Sequence, residues 1–283
     1  MSIFPTKVLL ATDGSKEADL AAKTALSLVQ KTGSELHVVH VLYWASERAL
    51  DPEGLDPALC GEVEGRARKR LEDLVGTIES SGVKVTGSHL RVGRPDAEII
   101  AQAEEISAGL IVMGSRGFGM MRRAMMGSVS DSVVRHAHCP VMVVRGNEAE
   151  FPTRILVATD GSDEAKLAAS SAADLTKSTN SELHIVCVGH VPTILYESPE
   201  AIVLDADVQS KVEEDSRKDT ETKLERQVQG MRDAGIEVAE AHTSLGDPDA
   251  EIVGLAGKIE CRPDSHGQSR AWTFEKGFDG KCL

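Results

Sequence analysis

The residues best suited to chemistry are glycines and a serine that follow a short apolar run in the first half of the chain. Leu110–Met113 is apolar and short enough to be a buried strand, and Gly114 and Gly117 follow it. After nine further residues, Gly127 and Ser128 precede a stretch with helical character. Glycines let the backbone approach an anion closely, and the N–H groups of a helix N-terminus attract negative charge. The spacing therefore favours a phosphate-binding loop; an ordinary loop with Ser128 as a helix cap is the alternative.

The composition bounds the class of protein and its partners. The 283 residues include 45 acidic and 31 basic side chains, a formal net charge of −14 without any notable basic run. Nucleic acid is therefore excluded as a primary partner, because binding it needs clustered Lys and Arg. No apolar run approaches the length of a membrane span, and the first residues lack the core of a signal peptide. Five cysteines lie far apart without a CxxC pair, so we expect a reducing, cytoplasmic location.

Apolar strands alternate with amphipathic helices along residues 1–146. The predicted strands are Lys7–Ala11, Leu36–Tyr43, Val83–Val92, Leu110–Met113 and Pro140–Arg145. The predicted helices cover residues 17–31, 62–80, 95–106 and 131–136, and residues 45–60 are predicted to form a loop. Strands that alternate with helices indicate an α/β domain with a parallel, doubly wound sheet.

The pattern then restarts as an internal repeat. Arg154–Ser162 repeats Lys7–Ser15 at an offset of 147 residues, and Ser181–Val186 repeats Ser34–Val39 at the same offset. Two copies of one domain joined by a short linker explain this periodicity. The predicted organisation is a first domain over residues 1–146, a linker over 147–153, a second domain over 154–260 and a tail over 261–283.

The second copy breaks off before its glycine loop, and the tail is polar without apolar periodicity. A reading-frame shift near Glu260 explains the break. Back-translated with permitted codons and read one base later, the tail gives A-D-L-I-V-M-G-S-R-G-H-G-P-L-K-R-A-L-M-G-S-V, which matches Ala108–Val129 at 16 of 22 positions. The third bases are free choices, but the other two are largely set by each amino acid. We expect a truncated second domain and a disordered tail.

Three motifs together resemble the universal stress protein family in its tandem-domain form. They are Ala11–Ser15, the strand end at His40 and Val41, and the pattern Gly114-x2-Gly117-x9-Gly127-Ser128, which is specific to the ATP-binding branch of that family. The resemblance covers residues 5–146 and 153–260. It implies two tandem doubly wound α/β domains, each with a five-stranded parallel sheet of order 3-2-1-4-5, the second incomplete. The nucleotide would lie across the carboxyl ends of strands 1 and 4, where the topology switches.

The resemblance also implies a set of ATP-binding residues. Asp13 would accept hydrogen bonds from the ribose or hold Mg²⁺ together with the phosphates, although an Asx turn or a helix cap is equally open to it. Thr12 and Val41 would flank the adenine, although without the other motifs Val41 would be assigned to the core. Arg116 would contact phosphate, and the glycines and Ser128 would bind the phosphates through their N–H groups. The full set is Ala11, Thr12, Asp13, Val41, Gly114, Arg116, Gly117, Met126, Gly127, Ser128, Val129 and Ser130.

The resemblance implies an ATP-binding regulatory module of the stress response in which ATP is the effector. The alternatives are a slow ATP hydrolase that uses the same crevice and an interaction scaffold that binds no nucleotide. No catalytic residue is assigned, because Asp13 is the sole candidate base. The second copy keeps Asp160 but lacks a phosphate loop, so it is predicted to bind ATP weakly or not at all. His37 and His184, at equivalent strand positions, are assigned structural roles.

The resemblance also bears on assembly. Fifth strands of paired domains meet in the family's homodimers, and tandem chains make the same pairing internally as a pseudo-dimer. A second domain without its fifth strand would leave Pro140–Arg145 as an unpaired apolar edge, which invites homodimerisation or aggregation.

Overall fold

The computed structural model describes residues 4, 6–43, 57–117, 127–145, 154–190, 206–259 and 273–275. These residues fall into two compact units, 4–145 with 273–275, and 154–259. Within this described part, no helix is both long enough and apolar enough to cross a bilayer.

The first unit alternates strands and helices. In chain order it contains β1 (Lys7–Thr12), α1 (Lys16–Thr32), β2 (Glu35–Leu42), α2 (Pro57–Ser80), β3 (Val85–Val92), α3 (Pro95–Glu105), β4 (Leu110–Gly114), α4 (Ser128–His136) and β5 (Val141–Val144). These five strands pair in parallel in the order β3-β2-β1-β4-β5. The predicted fold class and strand order are therefore confirmed.

The central strands are buried on both faces, as a parallel sheet with helices on each side requires. Val8–Ala11 of β1 and Leu110–Met113 of β4 are all buried. On one face, Leu9, Ile111 and Met113 pack in a single cluster with residues of α3 and α4. Helix α1 packs on β1 and β4 and begins where Ser15 Oγ accepts a hydrogen bond from the Ala18 N–H at 3.3 Å.

One boundary differs from the sequence-based expectation by more than a few residues. Helix α2 begins at Pro57, inside the predicted loop over residues 45–60, because proline suits the first turn of a helix. Helix α4 begins at Ser128 with Gly127 as its cap residue, so these two residues stand at a helix start as predicted.

The second unit repeats the first half of this architecture. It contains β6 (Arg154–Ala158), α5 (Asp163–Thr179), β7 (Glu182–Gly189), α6 (Ala206–Asp233), β8 (Glu240–Leu245) and α7 (Pro248–Lys258). Its parallel sheet has the order β6-β7-β8, which corresponds to β1-β2-β3. Among the described residues of this unit there is no counterpart of β4, α4 or β5.

A short strand from the tail covers part of the edge of the first sheet. Strand β9 (Thr273–Glu275) pairs antiparallel with Val141–Val143 of β5. The expectations of an open β5 edge and of a disordered tail are therefore wrong over these residues. An unpaired edge leaves backbone N–H and C=O groups without partners, and an added strand satisfies them. Self-association through β5 would have to compete with β9.

Candidate functional site

A cavity of about 400 Å³ opens at the carboxyl ends of β1 and β4, where the strand order switches direction. Eleven of the twelve predicted binding residues line it; Met126 lies outside the described residues. The eleven are Ala11, Thr12, Asp13, Val41, Gly114, Arg116, Gly117, Gly127, Ser128, Val129 and Ser130. The structure thus brings together two segments that are about a hundred residues apart in the sequence.

The turn after β1 shapes one end of the cavity. Asp13 Oδ1 accepts a hydrogen bond from the Ser15 N–H at 2.9 Å, and Gly14 has a φ of +81°. The carboxylate therefore forms the Asx turn, while Ser15 takes the role of helix cap. The second oxygen, Oδ2, faces the glycine loop so closely that a Cβ at Gly117 would collide with it. One oxygen of Asp13 holds the turn and the other lies against the loop.

The N-terminus of α4 shapes the opposite end. Its cap residue is Gly127, which makes no side-chain cap, so the cap position presents no competing side-chain acceptor. The Gly127 N–H donates to the Ser115 carbonyl at 2.8 Å, and Ser130 Oγ lies 2.9 Å from both the Ser115 and Gly127 carbonyl oxygens. The Gly127 N–H and the Ser130 hydroxyl thus already have carbonyl acceptors within the protein, and phosphate contacts from either residue stay a prediction. The N–H groups of Ser128, Val129 and Ser130 remain, because a first helical turn has no internal acceptors for them.

The lack of a side chain at Gly114 is required for the packing of β4 against α1 as well as for the approach of a ligand to the loop. A Cβ at this position would lie 2.9 Å from the Glu17 carbonyl carbon and 3.1 Å from the Ala18 nitrogen. Both atoms belong to the backbone of α1, which cannot rotate away. The absence of a side chain therefore lets β4 end directly against the start of α1.

Arg116, which lines the cavity, is paired with an acidic side chain. Its guanidinium forms an ion pair with Glu17 of α1, and the other Glu17 oxygen accepts a hydrogen bond from Ser115 Oγ at 2.7 Å. The Arg116 Nε is buried and has no hydrogen-bond partner in the described part of the chain. The sequence analysis did not include Glu17. The available signal was its position in the first turn of the helix that follows Asp13-Gly14-Ser15.

The remaining wall is apolar. Val41 lines the cavity and also packs against the core cluster, so it is in part a core residue, and its contact with an adenine stays a prediction. The other side chains at this wall are Ala18, Val39, Pro95, Ile99 and Met113. A polar floor with one apolar side is typical of a small-molecule site.

The second unit reproduces the turn but not the loop. The Ser162 N–H donates to Asp160 Oδ1 at 2.9 Å, and Gly161 has a φ of +86°. Val188, the counterpart of Val41 at this offset, lies on β7. Among the residues that the structure describes, neither a glycine loop nor a helix N-terminus with a glycine cap faces this turn. The second unit therefore holds one half of the arrangement.

The partly buried thiol of Cys139 is not suited to act as a nucleophile. Cys139 packs against the core cluster beside the cavity, and burial raises the pKa of its thiol to about 11. Since the thiolate is the reactive form, Cys139 is inert near neutral pH.

Asp96 connects the two helices that border the cavity, α3 and α4. Its Oδ2 accepts hydrogen bonds from Ser132 Oγ at 2.7 Å and from Arg94 at 2.8 Å. Partial burial alone would raise the pKa of this carboxyl, but the hydrogen bonds from Ser132, Arg94 and the Ala97 N–H together outweigh burial and lower the pKa.

We expect Asp96→Asn to reduce the free energy of unfolding by about 1 to 2 kcal/mol at pH 7, because a charge-assisted hydrogen-bond network is lost. Because the pKa of Asp96 is lower in the folded state than in the unfolded state, its ionised form stabilises the fold at pH values above the unfolded-state pKa. This stabilisation is lost as the pH falls through the folded-state pKa. The difference between variant and parent should therefore shrink below pH 4, as measured by urea unfolding. Ser132→Ala should show a smaller effect of the same sign, and a pH-independent difference would contradict this account.

Comparisons with known proteins identify the family of this chain. The sequence profile of the universal stress protein family matches residues 5–145 and 152–262. Universal stress protein MJ0531 of Methanocaldococcus jannaschii is 32% identical over 144 residues, which cover 51% of this chain and 84% of that protein. A putative universal stress protein of Staphylococcus aureus USA300 is 33% identical over 151 residues, which cover 52% of this chain and 90% of that protein.

A solved structure extends the similarity over both units. The crystal structure of a universal stress protein from Archaeoglobus fulgidus DSM 4304 matches 91% of this chain and 83% of its own, with a TM-score of 0.64 and 26% identity. The family profile matches two separate stretches, and the second ends at residue 262, close to the predicted start of the tail. The chain belongs to the universal stress protein family and carries two regions that match its domain.

Proposed function

We propose that the first unit binds ATP in the cavity between β1 and β4 and that the bound nucleotide regulates the protein. The observation that carries this proposal is the cavity itself: a glycine-rich loop and a helix N-terminus with a glycine cap meet the Asp13 turn at the switch point of a parallel sheet. Such a position favours phosphate-containing ligands, because helix N–H groups and the helix dipole converge there.

The residues present fit a nucleotide. The buried Arg116 Nε, which has no hydrogen-bond partner among the described residues, is a donor that an anionic group would satisfy. Ser128, Val129 and Ser130 supply backbone N–H groups for the phosphates. Val41 and its apolar neighbours provide a surface against which a base can pack.

Asp13 is the proposed contact for the ribose or for Mg²⁺. Among the described lining residues it carries the only carboxylate. A magnesium ion is usually held by one or two carboxylates together with phosphate oxygens and water. Asp13 would therefore hold Mg²⁺ jointly with ATP rather than as a site of its own.

We propose regulation rather than turnover as the role of ATP. Asp13 is the only candidate base among the described lining residues, and one of its oxygens is already engaged by the Ser15 N–H. Incubation of the purified chain with radiolabelled ATP tests this. Nucleotide that stays bound and unhydrolysed supports the proposal; multiple turnovers that Asp13→Ala abolishes would favour a hydrolase, and no retained nucleotide would favour a scaffold.

We further propose that the second unit does not bind ATP. The Thr159–Ser162 turn can offer contacts to a ribose, but contacts for the polyphosphate are absent among the described residues of that unit. The proposed boundaries remain residues 1–146 and 154–260, with a reading-frame change near Glu260 as the origin of the truncation.

Glu17 is expected to weaken ATP binding through its ion pair with Arg116. Glu17→Gln removes a negative charge next to the phosphate region and keeps an oxygen that can accept from Ser115 Oγ, so ATP affinity should rise by roughly 3- to 10-fold. Arg116→Gln should lower affinity, and by more in the Glu17→Gln background than in the parent. Fluorescence titration of a double-mutant cycle measures this coupling. Reduced affinity in Glu17→Gln would show that Glu17 orients Arg116 instead.

A further inference from the structure

Two histidine pairs occupy equivalent places in the two units. His184 on β7 and His242 on β8 stack with ring centroids 5.7 Å apart, and His184 Nδ1 lies 3.4 Å from His242 Nε2. In the first unit, His37 on β2 and His89 on β3 repeat both distances. The repeated pair on its own is therefore part of the fold.

A carboxylate distinguishes the second pair from the first. Glu240 lies opposite His184 in the register of β7 and β8, and Gly87 lies opposite His37 in the register of β2 and β3. A Cβ at Gly87 would lie 2.7 Å from His37 Nδ1 and 2.9 Å from His89 Nε2. A side chain at this strand position is therefore directed onto the facing ring nitrogens.

Glu240 uses that position in the second unit. Its Oε2 lies 3.9 Å from His184 Nδ1 and 3.7 Å from His242 Nε2. The three atoms form a triangle with sides of 3.4, 3.7 and 3.9 Å. Such a triangle is the arrangement of three ligand atoms around one small ion.

We propose that His184 Nδ1, His242 Nε2 and Glu240 bind a divalent transition-metal ion, with Zn²⁺ as the ion that fits best. Tetrahedral zinc with bonds of about 2.0 to 2.1 Å to nitrogen places two nitrogen ligands about 3.4 Å apart, which is the separation of the ring nitrogens here. The carboxylate oxygen needs to approach by a few tenths of an ångström. Its side chain is 65% exposed and can do so.

The donor set selects the class of ion. Two imidazole nitrogens and one carboxylate oxygen suit zinc and its neighbours in the first transition row, whereas magnesium and calcium prefer oxygen ligands throughout. Three protein ligands also leave a fourth tetrahedral position for water or for a ligand from another molecule. The proposed metal site shares no residue with the proposed ATP site of the first unit.

The surroundings of His184 support a ligand role. The residue is 6% exposed, and its Nε2 is buried without a hydrogen-bond partner among the described residues, 3.8 Å from the Glu182 carboxylate. A carboxylate near the far nitrogen of a metal-bound imidazole orients the ring and strengthens it as a ligand. Arg154, the nearby cation, is paired with Glu182 at 2.9 Å, which offsets its charge.

The test is metal titration of the full chain after treatment with a chelator. Zn²⁺ binding is followed by calorimetry, and Co²⁺ binding by visible absorption, because thiolate ligands add a near-ultraviolet charge-transfer band that histidine and carboxylate ligands lack. We expect one equivalent with a tetrahedral Co²⁺ spectrum and no thiolate band. His242→Gln and Glu240→Gln should each weaken this binding by about 10- to 100-fold or more.

The first unit supplies the matched control. His89→Gln removes the equivalent histidine where Gly87 replaces the carboxylate, so metal binding should be unchanged. Because Glu240 is exposed, Glu240→Gln should retain the fold even if His242→Gln does not, and circular dichroism checks both. Unaltered binding in Glu240→Gln and His242→Gln, a thiolate band, or no binding by the parent chain would overturn the proposal.

Discussion

Gly127→Glu is expected to lower the affinity for ATP at least about 100-fold. Gly127 precedes the first turn of α4 and lines the cavity, so we expect a carboxylate added there to lie near the N–H groups of Ser128–Ser130. A carboxylate about 4 Å from a phosphate charge at an effective dielectric constant near 20 costs about 4 kcal/mol. The added carboxylate would also accept hydrogen bonds from these N–H groups, as the side-chain oxygen of a helix cap does. Calorimetric titration of ATP into both chains measures the loss.

Gly127→Gln separates the charge from the size of the new side chain. Its Cβ meets the same Ser115 carbonyl, 3.1 Å away, but the amide is neutral. We expect Gly127→Gln to retain clearly more affinity than Gly127→Glu, by at least about 10-fold. Equal losses in the two variants would mean that crowding, not phosphate recognition, accounts for the effect.

Gly114→Ala is expected to lower the free energy of unfolding of the first unit by about 1 to 3 kcal/mol, the usual cost of inserting a methyl group into a filled space. The added carbon would meet the backbone of Glu17 and Ala18 in α1 at 2.9 and 3.1 Å. Because those atoms cannot rotate away, α1 has to shift. Hydrogen–deuterium exchange of peptides from β1 and β4 reports the stability of this unit separately from the second.

Gly76→Ala is the matched control for that substitution. Gly76 lies within α2, and a Cβ there meets nothing within 4 Å. Alanine in a helix interior is favoured over glycine by about 0.5 to 1 kcal/mol, so the same chemical change should stabilise the protein. A stabilising Gly114→Ala would show that β4 and α1 are less tightly packed than the structure has them.

The fold follows from features that are local in the sequence. Apolar runs such as Leu110–Met113 alternate with amphipathic helices, and that alternation alone indicates a parallel sheet. The placement of Asp13 and Gly114 at one sheet edge follows in turn, because the carboxyl ends of neighbouring parallel strands meet there. The sequence pattern was therefore sufficient to place Asp13 near Gly114, whereas the other predicted lining residues were expected there from the family resemblance.

Details that depend on three-dimensional contacts were not predictable. The Gly127 N–H and the Ser130 hydroxyl are taken by the Ser115 carbonyl, which lies in another segment. The pairing of Glu17 with Arg116 joins positions 99 residues apart. Strand β9 pairs with β5 through backbone groups, which leave no side-chain signature in a polar tail. Glu240 beside His184 likewise becomes visible only from the register of β7 and β8.

The stoichiometry of ATP binding to the full, unmodified chain tests the central claim most directly. We expect one ATP per chain in a calorimetric titration, because the proposed phosphate-binding arrangement lies in the first unit and the described residues of the second unit repeat only the turn after its first strand. Two equivalents would contradict the assignment of the second unit as disabled. No binding would contradict the nucleotide site itself and leave the cavity between β1 and β4 without its proposed ligand.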